Sequence, residues 1–409
     1  MAIEGLVVRQ LAPARTSVRC IFVNVPADRV ARQPLVLTYA RRIYETVYSS
    51  AAVVSFFWPV AHSQRGTFTG DRLPMRRIAV EEAFVTEEIT AEWAKVLSRK
   101  SVEPGFRMMG QTMLGHSEGA RRVHAQLADI GSGRIAMMDA TGIDVQVLSL
   151  TAPGVQVFDA ATGTALARHA NDVLADAIAR HPARLAGLAA VAPQDPGAAA
   201  VELARAARLP GIKGMIINSH THGEYLDDRK YTEIFEAAEA LRLPLYLHPR
   251  EPSPAMVTPF LDYGLYFAGW GFAAEAGLHA MRLIMSGLFD RHPKLRVILG
   301  HMGEAIPFWL QRIDNRYLLQ VKIGAVEELA RLPSEYFLEN FLITTSGVCF
   351  EPALKLCLEV LGPHRILFAA DYPYESVEEA VAFLDGADLP QDVREALYWK
   401  NSASLFRLN

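Results

Sequence analysis

The sequence lacks the features that mark several protein classes. It has only three cysteines, Cys20, Cys349 and Cys357, and their odd number and spacing argue against a disulfide scaffold. It has no basic excess, since its formal net charge is −4, so nucleic acid is not an expected partner. Its apolar run at 51–61 is far shorter than the roughly 20 residues that a membrane span needs. We therefore expect a cytoplasmic protein, with neither nucleic acid nor membrane as partner, that acts on a small organic molecule.

The charge distribution divides the chain into two parts. The first 74 residues contain nine arginines, no lysine and four acidic residues, a net charge of +5, whereas the rest carries −9. Met75 stands directly before the first convincing strand. We therefore expect residues 1–74 to be an N-terminal extension that is poorly ordered or not native, and residues 75–409 to form the folded unit.

After Met75, eight short runs rich in Val, Ile and Leu alternate with segments of helical pattern. The runs begin at Arg77, Val145, Leu185, Gly211, Leu243, Leu295, Phe341 and Arg365. Their near-continuous hydrophobicity is typical of strands buried on both faces. The pattern predicts a (β/α)₈ TIM barrel, with an insertion at 84–120 over its mouth. The alternative, an open doubly wound sheet, is less favoured because no glycine-rich phosphate loop follows the first strand.

Four acidic and histidine residues close strand runs of this predicted barrel. They are Glu81 on run one, His248 on run five, His301 on run six and Asp371 on run eight. Catalytic side chains of such barrels come from the carboxyl ends of strands, so these four are predicted to meet at one mouth. Three other histidines precede strands and are assigned to the opposite, structural face: His181, His292 and His364.

The types of these residues suggest a metal centre. Carboxylates and imidazole are ligands suited to Zn²⁺, Mn²⁺ or Mg²⁺, and the sequence does not rank these ions. Any one of the residues alone would fit a buried structural role equally well. Their joint occurrence at strand ends favours a single divalent metal ion at the mouth of the barrel.

Longer sequence strings carry a more specific resemblance. These strings are IAVEEAF, SLTAPGVQ, YLHPREP, FDRHPKLRVILGHMGEAIPFWLQRIDNR, ITTSG and RILFAADYPYE, in order from about Arg77 to the C-terminus. They resemble the ACMSD-related branch of the amidohydrolase superfamily, particularly the 2,3-dihydroxybenzoate and γ-resorcylate decarboxylases. The resemblance implies a carboxy-lyase that removes CO₂ non-oxidatively from an aromatic ortho-hydroxy acid and leaves a phenol. It also implies one divalent metal ion, no organic cofactor, and a homo-oligomer, either a dimer or a tetramer.

The resemblance also assigns roles to individual residues. It implies that Glu81, His248 and Asp371 bind the metal, that His301 in GHMGE is catalytic, and that Glu304 orients His301. Ala83 stands where many relatives have a histidine, and hydrolytic amidohydrolases usually show His-x-His on this strand. The Glu-x-Ala of this chain therefore favours a single metal that organises the substrate over a hydrolytic centre.

A mechanism follows as a hypothesis. The carboxylate and phenolic oxygens of the substrate would chelate the metal, Asp371 would protonate the ring carbon, and His301 would hydrogen-bond the phenolic oxygen. Because a nearby metal lowers the pKa of a carboxyl group, a water on the metal is the alternative proton donor. Two other functions stay open: metal-dependent hydrolysis of an amide, ester or lactone, and a barrel that binds an aromatic acid without turnover.

Several further residues are candidates for substrate contact. Arg250, in the string HPR, could grip a carboxylate with its guanidinium group, or form a buried ion pair instead. His220 and His222 lie in the loop after strand four and either contact substrate or are simply solvated. Aromatic residues after strand five could line a pocket, form a subunit contact or pack beneath the loop: Tyr263, Tyr266, Phe267, Trp270 and Phe272.

Overall fold

The computed structural model describes residues 75–408, so the predictions for residues 1–74 lie outside the described residues. Within this part, eight parallel strands form one sheet in sequence order. The strands are β1 (Ile78–Phe84), β2 (Val145–Leu150), β3 (Leu185–Ala190), β4 (Ile212–Asn218), β5 (Leu245–His248), β6 (Val297–Leu299), β7 (Phe341–Thr344) and β8 (Ile366–Leu367). The eight predicted strands are therefore confirmed.

The sheet closes on itself where the segment after β8 meets β1. The Val80 amide donates to the Phe368 carbonyl at 3.2 Å, and the Ala83 amide donates to the Tyr372 carbonyl at 2.8 Å. Apolar side chains from the strands fill the barrel interior, among them Ile78, Val80, Val147, Leu188, Ile216 and Ile298. The fold is thus the predicted (β/α)₈ barrel with a packed centre, and the open-sheet alternative is wrong.

Helices surround the barrel between the strands. They are α1 (Glu87–Leu97), α2 (Pro104–Met113), α3 (Glu118–Ala128), α4 (Ser132–Thr141), α5 (Ala160–Arg180), α6 (Pro196–Ala206), α7 (Thr232–Leu241), α8 (Gly271–Met285), α9 (Leu288–Arg291), α10 (Ile306–Lys322), α11 (Pro333–Asn340), α12 (Glu351–Leu361), α13 (Val377–Gly386), α14 (Gln391–Glu395) and α15 (Asn401–Phe406). A four-residue helical segment, His301–Glu304, follows β6 directly. No helix in residues 75–408 is long and apolar enough to span a membrane.

Local sequence signals explain where the outer helices start. Asp159 caps α5 by accepting a hydrogen bond from the Thr162 amide at 2.9 Å. Asp195 caps α6 in the same way through the Ala198 amide, and Pro196 takes the first helical position, where its missing amide proton costs nothing. Such caps fix the lengths of the loops, so each helix returns the chain to the bottom of the next strand.

The insertion predicted at 84–120 contains α1, α2 and the start of α3, and it covers part of the barrel mouth. The indole nitrogen of Trp93 on α1 donates to the Gly154 carbonyl in the loop after β2, at 2.9 Å. Met109 and Met113 on α2 line a cavity at the mouth. The insertion is thus a wall of the cavity, and the hydrogen bond of Trp93 holds it to the strand-two loop.

The pairing of β1 with β2 contains an irregularity that decides which way two glutamates point. Ala79 pairs with Gln146 and Glu82 pairs with Leu148, so Val80 and Glu81 together oppose the single residue Val147. An extra residue of this kind is a β-bulge, which re-aims the side chains next to it. Glu81 therefore lies in the middle of β1, within the bulge, and does not close the strand as the sequence analysis placed it.

The three histidines assigned to the structural face are found before strands, as predicted. His181 directly follows α5, His292 precedes β6, and His364 lies in the turn before β8. None of them lines the cavity at the mouth. His292 is buried with its Nδ1 atom 3.5 Å from a carboxylate oxygen of Glu239, which is a structural contact.

Candidate metal centre and active site

Three predicted ligands meet at the mouth of the barrel. Glu81 from β1, His248 from the end of β5 and Asp371 from the segment after β8 each offer one donor atom, and these atoms lie within 4.8 Å of one another. We call these three residues the metal cluster. The His248 Nε2 atom is 3.6 Å from the Glu81 Oε1 atom. Two carboxylates and one imidazole form the hard-to-borderline donor set that divalent ions prefer.

In neutral His248, the Nε2 atom is unprotonated and its lone pair faces Glu81. Its Nδ1 atom donates a hydrogen bond to the Pro249 carbonyl at 2.7 Å, so Nε2 carries no proton in the neutral ring. Burial lowers the pKa of His248 to about 4, which keeps the ring neutral. The buried Oε1 atom of Glu81 has no hydrogen-bond partner either. Two lone-pair atoms at this distance repel each other unless a cation lies between them, so the residues fit a divalent metal ion.

The second oxygen of Glu81 is held by β7. The Thr344 hydroxyl donates to Glu81 Oε2 at 2.8 Å and lies 2.8 Å from the Ser346 hydroxyl. Burial would raise the pKa of Glu81, but the imidazoles of His301 and His248 outweigh burial, and its pKa is lowered. Glu81 is therefore an ionised carboxylate with one oxygen fixed and the other free to bind a cation.

His301 stands beside the metal cluster and is paired with Glu304. Its Nδ1 atom donates to Glu304 Oε1 at 2.8 Å, and its Nε2 atom is 3.7 Å from Glu81 Oε1 and 3.9 Å from Asp371 Oδ2. Burial would lower the pKa of His301, but the negative charges of Glu304 and Glu81 raise it well above its ordinary value. His301 is therefore a cation whose Nε2 proton faces the site.

Asp371 combines a strained backbone with a perturbed carboxyl group. Its φ angle is +60° and that of His301 is +51°, a region that costs non-glycine residues about 1–3 kcal/mol each. Burial, followed by the negative charge of Glu81, raises the pKa of Asp371 to about 7, against the opposing hydrogen bond from His301. In the metal-free protein, Asp371 therefore holds its proton up to near-neutral pH.

A cavity opens directly above these residues. Its volume is about 140 Å³, close to the roughly 150 Å³ of a buried cavity that accommodates benzene. Apolar side chains form most of its wall, including Met109, Met113, Phe267 and Phe272. Polar groups gather at its floor and rim: Thr151, His248, His301, Asp371, Tyr374 and Glu375. The cavity therefore has the size and polarity for one substituted aromatic ring whose polar groups face the metal cluster.

Sequence reasoning missed three polar residues of this cavity. The hydroxyl of Tyr374 lies 2.6 Å from that of Thr151, and burial raises the pKa of Tyr374 well above its ordinary value. Glu375 follows Tyr374 and also lines the cavity. All three stand in the strings SLTAPGVQ and RILFAADYPYE, next to strand ends, so position after a strand was a signal that could have found them.

The five aromatic residues proposed after strand five do not share one role. Phe267 and Phe272 line the cavity, with ring centroids 5.0 Å apart. Tyr266 is partly buried, and its hydroxyl is 3.5 Å from that of Thr112. Tyr263 and Trp270 are 96% and 62% exposed, and neither touches the cavity. The pocket interpretation thus holds for two of the five.

Arg250 lies below the surface and does not reach the cavity. Its side chain is fully buried and donates to Glu103 Oε2 at 3.0 Å, to a carboxylate oxygen of Glu251, and to the His220 carbonyl at 3.2 Å. These acceptors engage both terminal nitrogens of the guanidinium group, whereas its buried Nε atom has no hydrogen-bond partner. The ion-pair alternative of the sequence analysis therefore describes Arg250, and the substrate contact assigned to it is corrected, because both carboxylate partners come from the protein.

His220 and His222 are likewise committed to protein atoms. The ring of His220 accepts from the Gly223 amide at 3.1 Å and donates to the Glu251 carbonyl at 3.2 Å. His222 lies 3.0 Å from Glu103 Oε1 and 2.9 Å from the Phe158 carbonyl, both acceptors. Neither histidine lines the cavity. Their proposed contact with substrate thus has no support from the geometry, because all four ring nitrogens have other partners.

The fold and the metal cluster together indicate a class of enzyme. An eight-stranded parallel barrel with a carboxylate, an imidazole and a second carboxylate at its mouth is the architecture of metal-dependent barrel enzymes. The sequence profile described as Amidohydrolase matches residues 114–408. The chain belongs to the amidohydrolase family.

Two relatives illustrate the similarity in sequence. The chain is 36% identical to the gamma-resorcylate decarboxylase of Polaromonas sp. (strain JS666), over 81% of this chain and 99% of the relative. It is 32% identical to the decarboxylase orsB of Emericella nidulans, over 74% of this chain and 93% of the relative. The resemblance inferred from the sequence strings is thereby confirmed.

Solved structures give the same result. The 5-carboxyvanillate decarboxylase of Sphingomonas paucimobilis shares 44% identity with a TM-score of 0.79, covering 82% of this chain and all of that one. A dihydroxybenzoic acid decarboxylase from Polaromonas sp. JS666, solved with manganese and the inhibitor 2-nitroresorcinol, shares 34% identity with a TM-score of 0.72. It covers 82% of this chain and 98% of that structure.

Proposed function

We propose that this protein is a metal-dependent decarboxylase that converts an ortho-hydroxybenzoic acid into a phenol and CO₂ without oxidation. The observation that carries the proposal is the metal cluster, placed next to His301 at the floor of a ring-sized apolar cavity. Relatives over most of the chain are named as decarboxylases of hydroxybenzoic acids, which supports the same reaction class.

The metal ion would be held by Glu81, His248 and Asp371. Manganese is our first choice because three of the similar structures contain it, and Zn²⁺ and Mg²⁺ remain alternatives. When bound, a divalent ion supplies a Lewis acid that offsets the negative charge of the substrate's carboxylate and phenolic oxygens. No organic cofactor is part of the proposal.

His301 is proposed to bind the phenolic oxygen of the substrate. Its Nδ1 proton is fixed by Glu304, so the Nε2 proton is directed at the site. A positively charged donor at this position stabilises negative charge on the phenolic oxygen. The apolar wall, which includes Met109, Phe267 and Phe272, would hold the ring in place and exclude water.

Asp371 is proposed to deliver a proton to the ring carbon that bears the carboxylate. A new C–H bond forms there, the C–C bond to the carboxylate breaks, and its electron pair restores the aromatic ring while CO₂ leaves. The reaction consumes one proton and needs no oxidant. Burial raises the pKa of this carboxyl group and a bound metal ion would lower it, so the proposed role rests on the position of Asp371 in the lining of the cavity.

The proposal is tested by product analysis. Metal-loaded protein would be incubated with hydroxybenzoates that differ only in ring position, while CO₂ and the phenol are measured. We expect release of CO₂ from ortho-hydroxy acids and none from their meta and para isomers, because only the ortho isomer can chelate through both groups. Hydrolysis of amides, esters or lactones without any CO₂ release would replace the proposal with the hydrolase alternative.

We also propose that the chain forms a homo-oligomer, as the resemblance implied. Exposed apolar side chains along and just after α10 support a subunit contact: Phe308, Trp309, Leu318, Leu319 and Ile323. Sedimentation of the purified protein tests this, and a monomer at micromolar concentration would contradict it. A cytoplasmic location is part of the proposal, since Cys349 and Cys357 are both free thiols.

We further propose that the catalytic unit begins at Met75. The described barrel starts there, and β1 follows three residues later. A chain that starts at Met75 should bind metal and turn over substrate as the full chain does. Loss of either property in the shortened chain would assign residues 1–74 a role in the site.

A further inference from the structure

We infer that Glu82 is a positioning residue that holds the backbone on both sides of Asp371 and thereby sets the affinity of the metal cluster. The inference rests on the proposed metal centre. It concerns the second glutamate of the string VEEA, which has no part in binding the ion. Glu81 contacts Thr344 on β7, whereas Glu82 contacts Gln146 on β2, so the two consecutive glutamates have different partners.

The contacts of Glu82 are made to the backbone that carries Asp371. Its Oε1 atom accepts a hydrogen bond from the Ala370 amide at 3.0 Å, and its Oε2 atom accepts from the Tyr372 amide at 3.3 Å. Glu82 and Ala370 are fully buried, so water cannot replace these acceptors. The Glu82 carboxylate thus binds the backbone amides of the residues directly before and after Asp371.

A chain of polar side chains holds Glu82 in turn. The Gln146 side-chain amide on β2 donates to Glu82 Oε2 at 3.0 Å. The Arg134 guanidinium group on α4 donates to the side-chain Oε1 atom of Gln146 at 3.4 Å and to the backbone carbonyl of Ala83 at 2.7 Å. Arg134 also lies over the ring of Tyr372, 4.9 Å from its centroid. Arg134 thus donates to Gln146, and Gln146 donates to Glu82.

This support matters because Asp371 has a strained conformation. Its φ angle of +60° is unfavourable for a residue with a side chain and persists only when neighbouring contacts enforce it. The two bonds to Glu82 flank the strained residue directly. Without them the segment after β8 is free to relax, and the Asp371 carboxylate moves away from Glu81 and His248. Partners of this kind typically change metal affinity 10- to 100-fold.

The hydrogen bonds that the Glu82 carboxylate accepts make Glu82→Gln an informative substitution. Both carboxylate oxygens accept from N–H donors, whereas glutamine offers one acceptor oxygen and one NH₂ group. Its NH₂ group would face either the Ala370 amide or the donors on the other side, so one buried donor loses its acceptor. The substitution keeps the size of the side chain and leaves all three proposed ligands in place.

Glu202→Gln is the matched control. Glu202 on α6 is also a buried carboxylate, and it accepts from the Asn171 side chain at 2.8 Å and from the Arg205 guanidinium group at 2.8 Å. It contacts neither the cavity nor the metal cluster. The substitution therefore removes a comparable buried acceptor from the same barrel and reports the general cost to stability.

In the experiment, full-length, metal-stripped protein is titrated with Mn²⁺, and calorimetry measures the affinity of binding. We expect Glu82→Gln to weaken Mn²⁺ binding about 10- to 100-fold, and Glu202→Gln to leave it within about twofold of the wild type. Equal Mn²⁺ affinity in wild type and Glu82→Gln would overturn the inference and leave the metal centre standing. A wild-type protein that binds no Mn²⁺, Zn²⁺ or Mg²⁺ would instead overturn the metal centre.

Amide hydrogen exchange of the metal-free protein gives a second readout. We expect the peptide that covers residues 368–375 to exchange faster in Glu82→Gln than in wild type or Glu202→Gln, because one of the two amides beside Asp371 loses its acceptor. If Glu82→Gln does not fold, Gln146→Leu carries both measurements, with a weaker effect of about 3- to 10-fold on Mn²⁺ affinity. Unchanged exchange and unchanged affinity in that variant would overturn the inference.

Discussion

Two clusters of acidic and histidine side chains in this barrel have the same composition but different partners. Each contains two carboxylates and one histidine whose donor atoms lie within 4.8 Å of one another. One is the metal cluster. The other, which we call the arginine cluster, surrounds the guanidinium group of Arg250 and consists of Glu103, His220 and Glu251. Donor type and spacing therefore do not distinguish a metal site from a structural ion pair.

What distinguishes them is whether the protein supplies the cation. Arg250 fills the arginine cluster with a fixed positive charge, and the nearby His220 has both ring nitrogens engaged with backbone groups. In the metal cluster, the Nε2 atom of His248 and the Oε1 atom of Glu81 have no such partners. The Oε2 atom of Glu251 is also buried without a hydrogen-bond partner, but the fixed charge of Arg250 balances that carboxylate, whereas the metal cluster contains no arginine or lysine.

The arginine cluster instead organises the cavity wall. Glu103 directly precedes α2, the helix that carries Met109 and Met113, while Arg250 and Glu251 follow β5 and its ligand His248. Its ion pairs therefore join the insertion to the strand that holds a metal ligand. The metal cluster is thus the proposed ion site, and the arginine cluster holds the wall that shapes the cavity.

The largest effect is expected from removing the proposed proton donor. Asp371→Asn should lower kcat about 10³-fold or more, because the amide can neither donate the proton nor bind the ion as a carboxylate does. Glu103→Gln, the matched change in the arginine cluster, should lower kcat less than about tenfold. The measurement is CO₂ release at a metal concentration that saturates each variant. Full turnover by Asp371→Asn at full metal occupancy would show that Asp371 is not the proton donor.

The next effect concerns stability. Arg250→Met should lower the free energy of unfolding by about 3–5 kcal/mol, since it leaves the buried carboxylate of Glu251 and the partly buried carboxylate of Glu103 without the charge of Arg250. Denaturation in urea measures this loss, and adding Glu251→Gln should restore part of it. The metal content should not rise, because the ring nitrogens of His220 stay engaged. A second bound ion in Arg250→Met would show that the guanidinium group alone separates the two clusters.

A third carboxylate near Arg250 gives a pH test. Glu275 accepts from Ser219, Ser253 and Tyr225, and burial raises its pKa from 4.5 to about 7. The unfolded chain releases this proton near pH 4.5 and the folded chain only near 7, so the folded state binds more protons between these values. Stability should therefore fall by about 3 kcal/mol as pH rises across this window.

Glu275→Gln provides the comparison for that test. The glutamine cannot ionise, so the difference in unfolding free energy between wild type and variant should change with pH between about 4.5 and 7. Urea denaturation of both proteins at about pH 5 and about pH 7 measures it. A difference that is the same at both pH values would show that Glu275 ionises normally in the folded protein.

The smallest effect is expected at the half-exposed His222. Both of its ring nitrogens face acceptors, and its hydrogen bond with Glu103 raises its pKa despite partial burial. The charged ring therefore stabilises the fold fully below about pH 6.5, and this contribution is lost as pH rises through the folded-state pKa. His222→Gln should lower stability by less than about 1 kcal/mol, and only at the lower pH. His364→Gln on the far face is the control, and an equal loss for His222→Gln at about pH 6 and pH 9 would contradict the charge argument.

Much of the fold and part of the site could be predicted from sequence, and individual residues show why. The eight strand runs were recognisable because a strand buried on both faces is hydrophobic throughout, as β6 and β7 are. His248, His301 and Asp371 could be placed at one mouth because all parallel strands of a barrel end at the same rim. Arg250 was misjudged since its string looks the same whether the guanidinium group faces a cavity or a buried carboxylate.

The sequence by itself predicted the barrel and the meeting of His248, His301 and Asp371 at one rim, because these follow from the strand pattern and the strand order. Only the tertiary structure decided which of two adjacent glutamates faces the ion, since that follows from a bulge in the pairing of β1 with β2. It also decided the roles of Arg250 and Glu82, whose partners Glu103 and Tyr372 are 147 and 290 residues away along the chain. Contacts this distant leave no local pattern, because they arise only when the barrel closes.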